Sequence, residues 1–438
     1  MEHRASAATA CQRWIFVFRS VGSTCYKIKS LYFSFQNAVS IGLILLIEGP
    51  RTEKAKLDVC DRKVIQSIEA YIRGVPSSKG ISEDLEILSL IVKHIKTKES
   101  ALDLTEEQAA RALQFTQKLL DDDALWARFS RAKHLDTKRT RLCSLGLYLS
   151  RRCRDPPSSL FSVTTVRGHL PQRAGVGSDV FVGTIRGQKV AVKRLRYFLN
   201  LPDVRRPKAQ RAFFREALVW TQLRHPNVLR LQSLDVTTYP NMPSMIFPWL
   251  EKGNIVETRN RMGSMPDTAQ LDEWLLQVAS GMSYLHDKKI VHGDLRGANI
   301  LISDDMRAQV TDFGLITFAR DHCRDFYSWS DAYERWNSPE LIDPPSSSVS
   351  KTGRTVASDV FAFAFVCTEV YSGQQPFGEC NLLQVHRKVL SGERPEMPTS
   401  PVMSSNLCSM VEMCWSQAAG DRPTMTDVVA RMKKFAAA

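Results

Sequence analysis

Asp294 and Asn299 stand five residues apart in VHGDLRGANIL, Val291 to Leu301, a stretch flanked by apolar runs, and Asp312 follows in VTDFGL beside a Phe-Gly hinge. Oxygen-bearing side chains on two neighbouring loops suit phosphoryl transfer. That reaction asks little covalent help of a protein. It needs a divalent cation bridging the phosphates, a carboxylate near the attacking hydroxyl, and cations on the developing charge. Asn299 and Asp312 are suitable oxygen ligands for Mg²⁺, which leaves Asp294 free to orient a hydroxyl. Upstream, Lys193 ends the apolar run Val190-Ala191-Val192, and Glu216 in RAFFREALVWTQL shares a helical face with Phe213 and Trp220. A glutamate bracketed by core-like neighbours needs a cation, and Lys193 is the candidate. Gly175 and Gly177, between the apolar segments of Arg173 to Leu195, give a strand-turn-strand hairpin whose backbone could cover phosphates. Singly, each feature has a plainer reading: a solvated strand-end lysine, a turn with two glycines. Their order and spacing together carry the signal.

The elements that must position these residues change in texture along the chain. From about Val163 the sequence consists of short β-rich runs with tight turns, and from about Glu216 of helices separated by loops. Strands first and helices later predict an α+β domain over 163–436, with a β-rich lobe ahead of a helical one. A small helical region, 55–160, precedes it. There Val64, Ile65, Ile68, Tyr71 and Ile72 share one face, and Gly74 and Pro76 end the segment. A second helix after Ser82 carries Leu85, Leu88, Ile91, Val92 and Ile95. Thr105 and Gln108 make a capping box for a third, whose Leu113, Leu119 and Leu120 face inward. Basic clusters at Lys138 to Arg141 and Arg151 to Arg154, expected to be a solvated helix face, precede the turn-forming Asp155 to Ser159, which marks the boundary. Residues 1–54 mix apolar runs with basic residues without a period and are assigned no structure.

With these motifs in place, the chain from about Val163 to Phe435 resembles the eukaryotic protein kinase family, in its tyrosine-kinase-like group and with wording similar to that common among fungi. The resemblance implies the bilobal kinase fold and transfer of the γ-phosphoryl of ATP, with Mg²⁺, to protein hydroxyls. It implies that Lys193 binds the α/β phosphates and pairs with Glu216, that Asp294 is the catalytic base, that Asn299 and Asp312 hold metal, and that Arg296 stands near the transferred phosphate. Val180, Ala191 and Leu301 would sandwich adenine, under Gly175 and Gly177, and Phe247 would be a gatekeeper ahead of a hinge over Pro248, Trp249 and Leu250. Asp359 would support the catalytic loop, and Arg422 would pair with Glu340 of the WNSPE segment.

Four departures qualify these expectations. Arg173 and Ser178 stand where the family has the first and third glycines of the phosphate loop, and non-glycine residues resist left-handed turn geometry, so a stiffer loop is expected. Gly293 replaces the arginine that usually gathers an activation-segment phosphate, so switching through Tyr327, Ser328 or Ser330 lacks its cation. Ala364 replaces a usual glycine, a packing swap. Tyr333 stands where Ser/Thr kinases usually have threonine, and Arg296 where they have lysine; the acceptor is expected to be Ser/Thr ahead of Tyr. The alternative is a pseudokinase scaffold, motivated by Arg173, Ser178 and Gly293 but opposed by the intact Lys193, Glu216, Asp294, Asn299 and Asp312.

At 438 residues, 43% hydrophobic and 24% charged, the chain excludes a mostly disordered protein. The net charge of +13 speaks to association rather than fold, and no recognition motif or aromatic-basic interleaving supports nucleic-acid binding. Ten cysteines without paired short spacing indicate neither zinc nor a disulfide framework, so reduced thiols and a cytoplasmic location are expected. The apolar run Ala38 to Ile47 is about half the ~20 residues a membrane span requires. A protein partner is expected to bind through 55–160.

Overall fold

The computed structural model describes residues 106–123, 135–150, 153, 156–166, 170–174, 178–198, 201–239, 242–263, 266–313, 335–344 and 353–436. The expectations for 1–105, the phosphate-loop glycines Gly175 and Gly177, and Tyr327, Ser328, Ser330 and Tyr333 lie outside them.

Six strands form one antiparallel sheet: β1 (Thr165–Val166), β2 (Arg173–Ala174), β3 (Ser178–Ile185), β4 (Gln188–Leu195), β5 (Ser233–Asp235) and β6 (Ser244–Pro248). Along the path the order is β1-β3-β4-β6-β5, with β2 also on β3. Alternation along β4 sends Val190 and Val192 to an outer apolar layer with Phe181 and Ile246, and turns Ala191 and Lys193 the other way. The sheet therefore extends past Glu216 to Pro248. β5 and β6, three and five residues long, are too short for their alternation to stand out in sequence.

Helix α3 (Arg206–Trp220) lies between β4 and β5 in the chain, after the paired helices α1 (Glu106–Asp121) and α2 (Leu135–Ser150). Its Ala209, Phe213, Ala217 and Trp220 recur at helical spacing and are buried, with Phe213 edge-on to Phe198 and Trp220. On α1, Leu113, Leu119 and Leu120 are buried. Helix α1 packs on α2, and α2 packs on α3. Gln222 Nε2 donates to Asp121 at 3.2 Å, and Arg230 pairs with Asp123 at 3.4 Å.

The second lobe is helical: α4 (Ile255–Arg261), α5 (Thr268–Asp287), the β7–β8 ribbon (Ile300–Ile302, Ala308–Val310), α6 (Pro339–Ile342), α7 (Val356–Ser372), α8 (Leu382–Leu390), α9 (Ser405–Cys414) and α10 (Met425–Ala436). Its core surrounds α7, which is apolar on all sides and buried from Ser358 to Tyr371. Thr355 and Ser358 cap its start reciprocally, and Gly373 ends it at φ +72°. Ala364 is fully buried within it, as a packing residue should be.

Candidate active site

The loop carrying Asp294 is held from behind by α7. Asp359, 2% exposed, accepts the backbone N–H groups of His292 and Gly293 at 2.8 Å each and contacts His286 Nε2 at 2.9 Å. Burial pushes the His292 imidazole below its ordinary value, so the ring is neutral and its Nδ1 accepts the Asp294 N–H at 3.2 Å. Gly293 takes φ +78°, a conformation in which glycine carries no side-chain penalty, and Arg354 donates to its carbonyl.

A 3₁₀ turn over Gly297–Asn299 then brings Asn299 back onto Asp294: its Nδ2 donates to the Asp294 carbonyl at 2.7 Å and to Oδ2 at 2.8 Å. Arg296 Nε lies 3.4 Å from Oδ1. The Asn299 carbonyl in turn accepts the Thr311 N–H at 2.9 Å, which ties the second loop to the first. Asp312 follows at φ +64°, a left-handed conformation aspartate tolerates better than most residues. Its neighbour Phe313 packs edge-on against Trp220 at the end of α3, 6.4 Å between ring centroids. Asn299 donates with Nδ2, which leaves its Oδ1, with the Asp312 carboxylate, as oxygens that could ligate a hard cation.

Lys193 reaches this turn. Its ammonium, with the side chain 10% exposed, pairs with Asp312 Oδ2. The expected Lys193–Glu216 pair does not form: Glu216 is half-buried on α3, and the ammonium takes the carboxylate of the Asp-Phe-Gly turn instead. A desolvated cation needs one close anion, and spacing along the chain does not say which of two it meets.

The residues expected beside adenine come together through register. Val180 faces Lys193 across β3–β4, and Ala191 faces buried Phe247 across β4–β6. Trp249 and Leu250 follow, half-buried, with Lys189 Nζ 5.0 Å over the Trp249 ring. Leu301 in β7 is bridged to Asn254 at the start of α4. The loop that Arg173 and Ser178 are expected to stiffen, 175–177, lies outside the described residues. Arg173 and Ser178 themselves lie in extended strands, neither has a positive φ, and glycine's freedom is not needed there.

Two further contacts brace the far side of the loop. Arg422 makes a bidentate pair with Glu340 at 2.7 and 2.8 Å. Burial acts to raise the Glu340 carboxyl, but Arg422 outweighs it and leaves the group below its ordinary value. Glu369, which the sequence reading misses, accepts the Gly297 N–H at 2.8 Å and Trp336 Nε1 at 3.1 Å, joining the Asp294 loop to the WNSPE segment. A β-carbon on Gly297 would come within 2.5 Å of Val256 Cγ2 and 2.9 Å of Glu369, so any larger residue would displace one of these side chains. The signal was a lone glutamate in the apolar run VFAFAFVCTEVY.

Burial pushes Glu369 up from 4.5 to about 7, against the two donors that favour its anion. Between these values the folded chain holds a proton that the unfolded chain has lost. Stability contributed by this group is therefore full below pH 4.5 and falls by on the order of 3 kcal/mol as pH rises to about 7. Glu369→Gln is expected to flatten that slope in denaturant titrations at pH 5 and pH 7.5; an unchanged slope would assign the shift elsewhere.

The family model "Protein tyrosine and serine/threonine kinase" matches residues 173–432. The Megakaryocyte-associated tyrosine-protein kinase of Rattus norvegicus is 33% identical over 271 residues, covering 60% of this chain and 53% of that protein. The Serine/threonine/tyrosine-protein kinase HT1 of Arabidopsis thaliana is 28% identical over 266 residues, 60% of this chain and 64% of that one. The Serine/threonine-protein kinase 12 of the same plant is 31% identical over 258 residues, 57% and 52% respectively. The chain thus spans between 52% and 64% of the length of these relatives. With the model covering more than half of the 438 residues, resemblance gives way to membership: the chain belongs to the protein tyrosine and serine/threonine kinase family.

Proposed function

We propose that the chain is an active ATP- and Mg²⁺-dependent protein kinase that transfers the γ-phosphoryl group to hydroxyls of protein substrates, serine and threonine ahead of tyrosine. The observation that carries this reading is Asp294, fixed through its side chain by Asn299 and through its loop by Asp359. So held, its carboxylate can accept the hydroxyl proton as the oxygen attacks. Arg296 beside it offers positive charge where charge develops. Lys193, which pairs with Asp312 near the end of β4, would exchange that carboxylate for phosphate oxygens, leaving Asp312 and Asn299 Oδ1 for the cation. A Mg²⁺ ion held by Asn299 and Asp312 would supply charge neutralisation to the phosphates. Arg296 and Tyr333, standing where Ser/Thr kinases carry lysine and threonine, count against that acceptor preference, and a peptide panel with Ser, Thr or Tyr as sole hydroxyl tests it. The scaffold alternative loses one motive, since Arg173 and Ser178 sit without backbone conflict.

The helical region is a regulatory module in this reading, because α2 lies on α3, the helix that carries Glu216. Removing 1–160 is expected to change kcat/KM by at least about fivefold, the lower end of typical coupling energies. Unchanged activity and unchanged partners would count against the module. The six described cysteines are free thiols, which suits the cytoplasm, and no helix among the described residues is long and apolar enough to cross a membrane.

A further inference from the structure

Arg173 does more than occupy a missing glycine. It pairs with Val180 in the β2–β3 ladder, and its guanidinium crosses to the helical lobe to form an ion pair with Glu257 of α4. Glu257 is already oriented there by the α4 capping box: its N–H donates to Asn254 Oδ1 at 2.8 Å, and its Oε2 accepts the Asn254 N–H at 3.2 Å. Gly253, at φ +73°, leaves room for the bridge. A β-carbon there would lie 3.2 Å from Arg173 Nη2 and overlap Glu257 Oε2. Beneath the bridge, the Ile302 N–H donates to the Gly253 carbonyl at 2.9 Å, and Asn254 is bridged to Leu301, so α4 is tied to the residue expected below adenine. One end of the ion pair is therefore on the strand beside Val180, and the other is beside the floor that carries Leu301.

We propose that the Arg173–Glu257 pair is a latch across the mouth of the nucleotide cleft, positioning the phosphate-loop strand over bound nucleotide and slowing its release. The inference rests on the cleft taking ATP, as proposed above. The side chains are 49% and 43% exposed, so the pair is of the weak, salt-screened kind. Such a bond restrains β2 against α4 yet is weak enough to open on each turnover.

The test is dissociation of mant-ADP from the full chain by stopped flow, at low and high salt. Glu257→Gln retains the capping box and loses the charge, and Arg173→Gln loses the cation. Each is expected to release mant-ADP up to about fivefold faster than wild type at low salt, the rate equivalent of about 1 kcal/mol. The difference is expected to vanish at high salt, and the exchange Arg173→Glu with Glu257→Arg to restore slow release. The nearby Lys189–Glu251 pair is present throughout, so the difference between chains reports the latch alone. Equal release rates at low salt, or an exchanged pair that stays fast, would overturn the latch. Failure of the wild type to bind mant-ADP at all would overturn the nucleotide reading, and the latch with it.

Discussion

Asp294→Asn is expected to lower kcat by about 10²- to 10⁴-fold while leaving the melting temperature close to that of wild type, the range a positioned general base supplies. The side chain is 14% exposed and already held by Asn299 Nδ2 at 2.8 Å and Arg296 Nε at 3.4 Å. Asparagine has the same shape and can keep an oxygen toward Asn299, so the fold loses little. What it loses is the anion that accepts a proton from the attacking hydroxyl. ATP affinity should move much less than kcat, because the residue expected to hold the α/β phosphates, Lys193, belongs to the other lobe. A variant that loses ATP binding and turnover in equal proportion would place Asp294 in binding instead.

Asp359→Ala should act through both stability and activity. Its carboxylate receives two buried backbone N–H groups, those of His292 and Gly293, at 2.8 Å each. Alanine orphans both, and at the usual cost of an unsatisfied buried donor this amounts to about 4 kcal/mol. Those donors belong to the two residues that lead directly into Asp294, so the loop should relax and activity fall at least about a hundredfold. Chemical denaturation beside kcat checks the two effects. Full activity in a destabilised chain would show that the loop keeps its shape without α7.

The Asp294 site is legible in sequence because its parts are close together: Asn299 comes back to Asp294 over five residues, and one short turn does the work. Asp359 and the Arg422–Glu340 pair are legible only through family resemblance, since their partners lie 66 and 82 residues away. The partner of Lys193 cannot be read at all from spacing. Glu216 and Asp312 are both reasonable, and only the folded cleft decides for Asp312. Arg173 is the opposite case. A motif marks it as a glycine lost, whereas its contact is with Glu257, 84 residues on, in a helix the motif does not mention. Glu369 escapes because its run is so apolar that it looks like pure core. At Gly293 the backbone is held by Asp359 and Arg354, while Tyr327, Ser328 and Ser330, which its reading concerns, lie outside the described residues.

On the proposed reading the chain transfers phosphate rather than only binding partners. The most direct measurement is transfer of γ-labelled phosphate from Mg-ATP to the protein itself and to a peptide panel, with wild type and Asp294→Asn side by side. Wild type or its peptides are expected to carry label that falls at least about a hundredfold in the variant. Equal label from the two, or none from either, would contradict that reading.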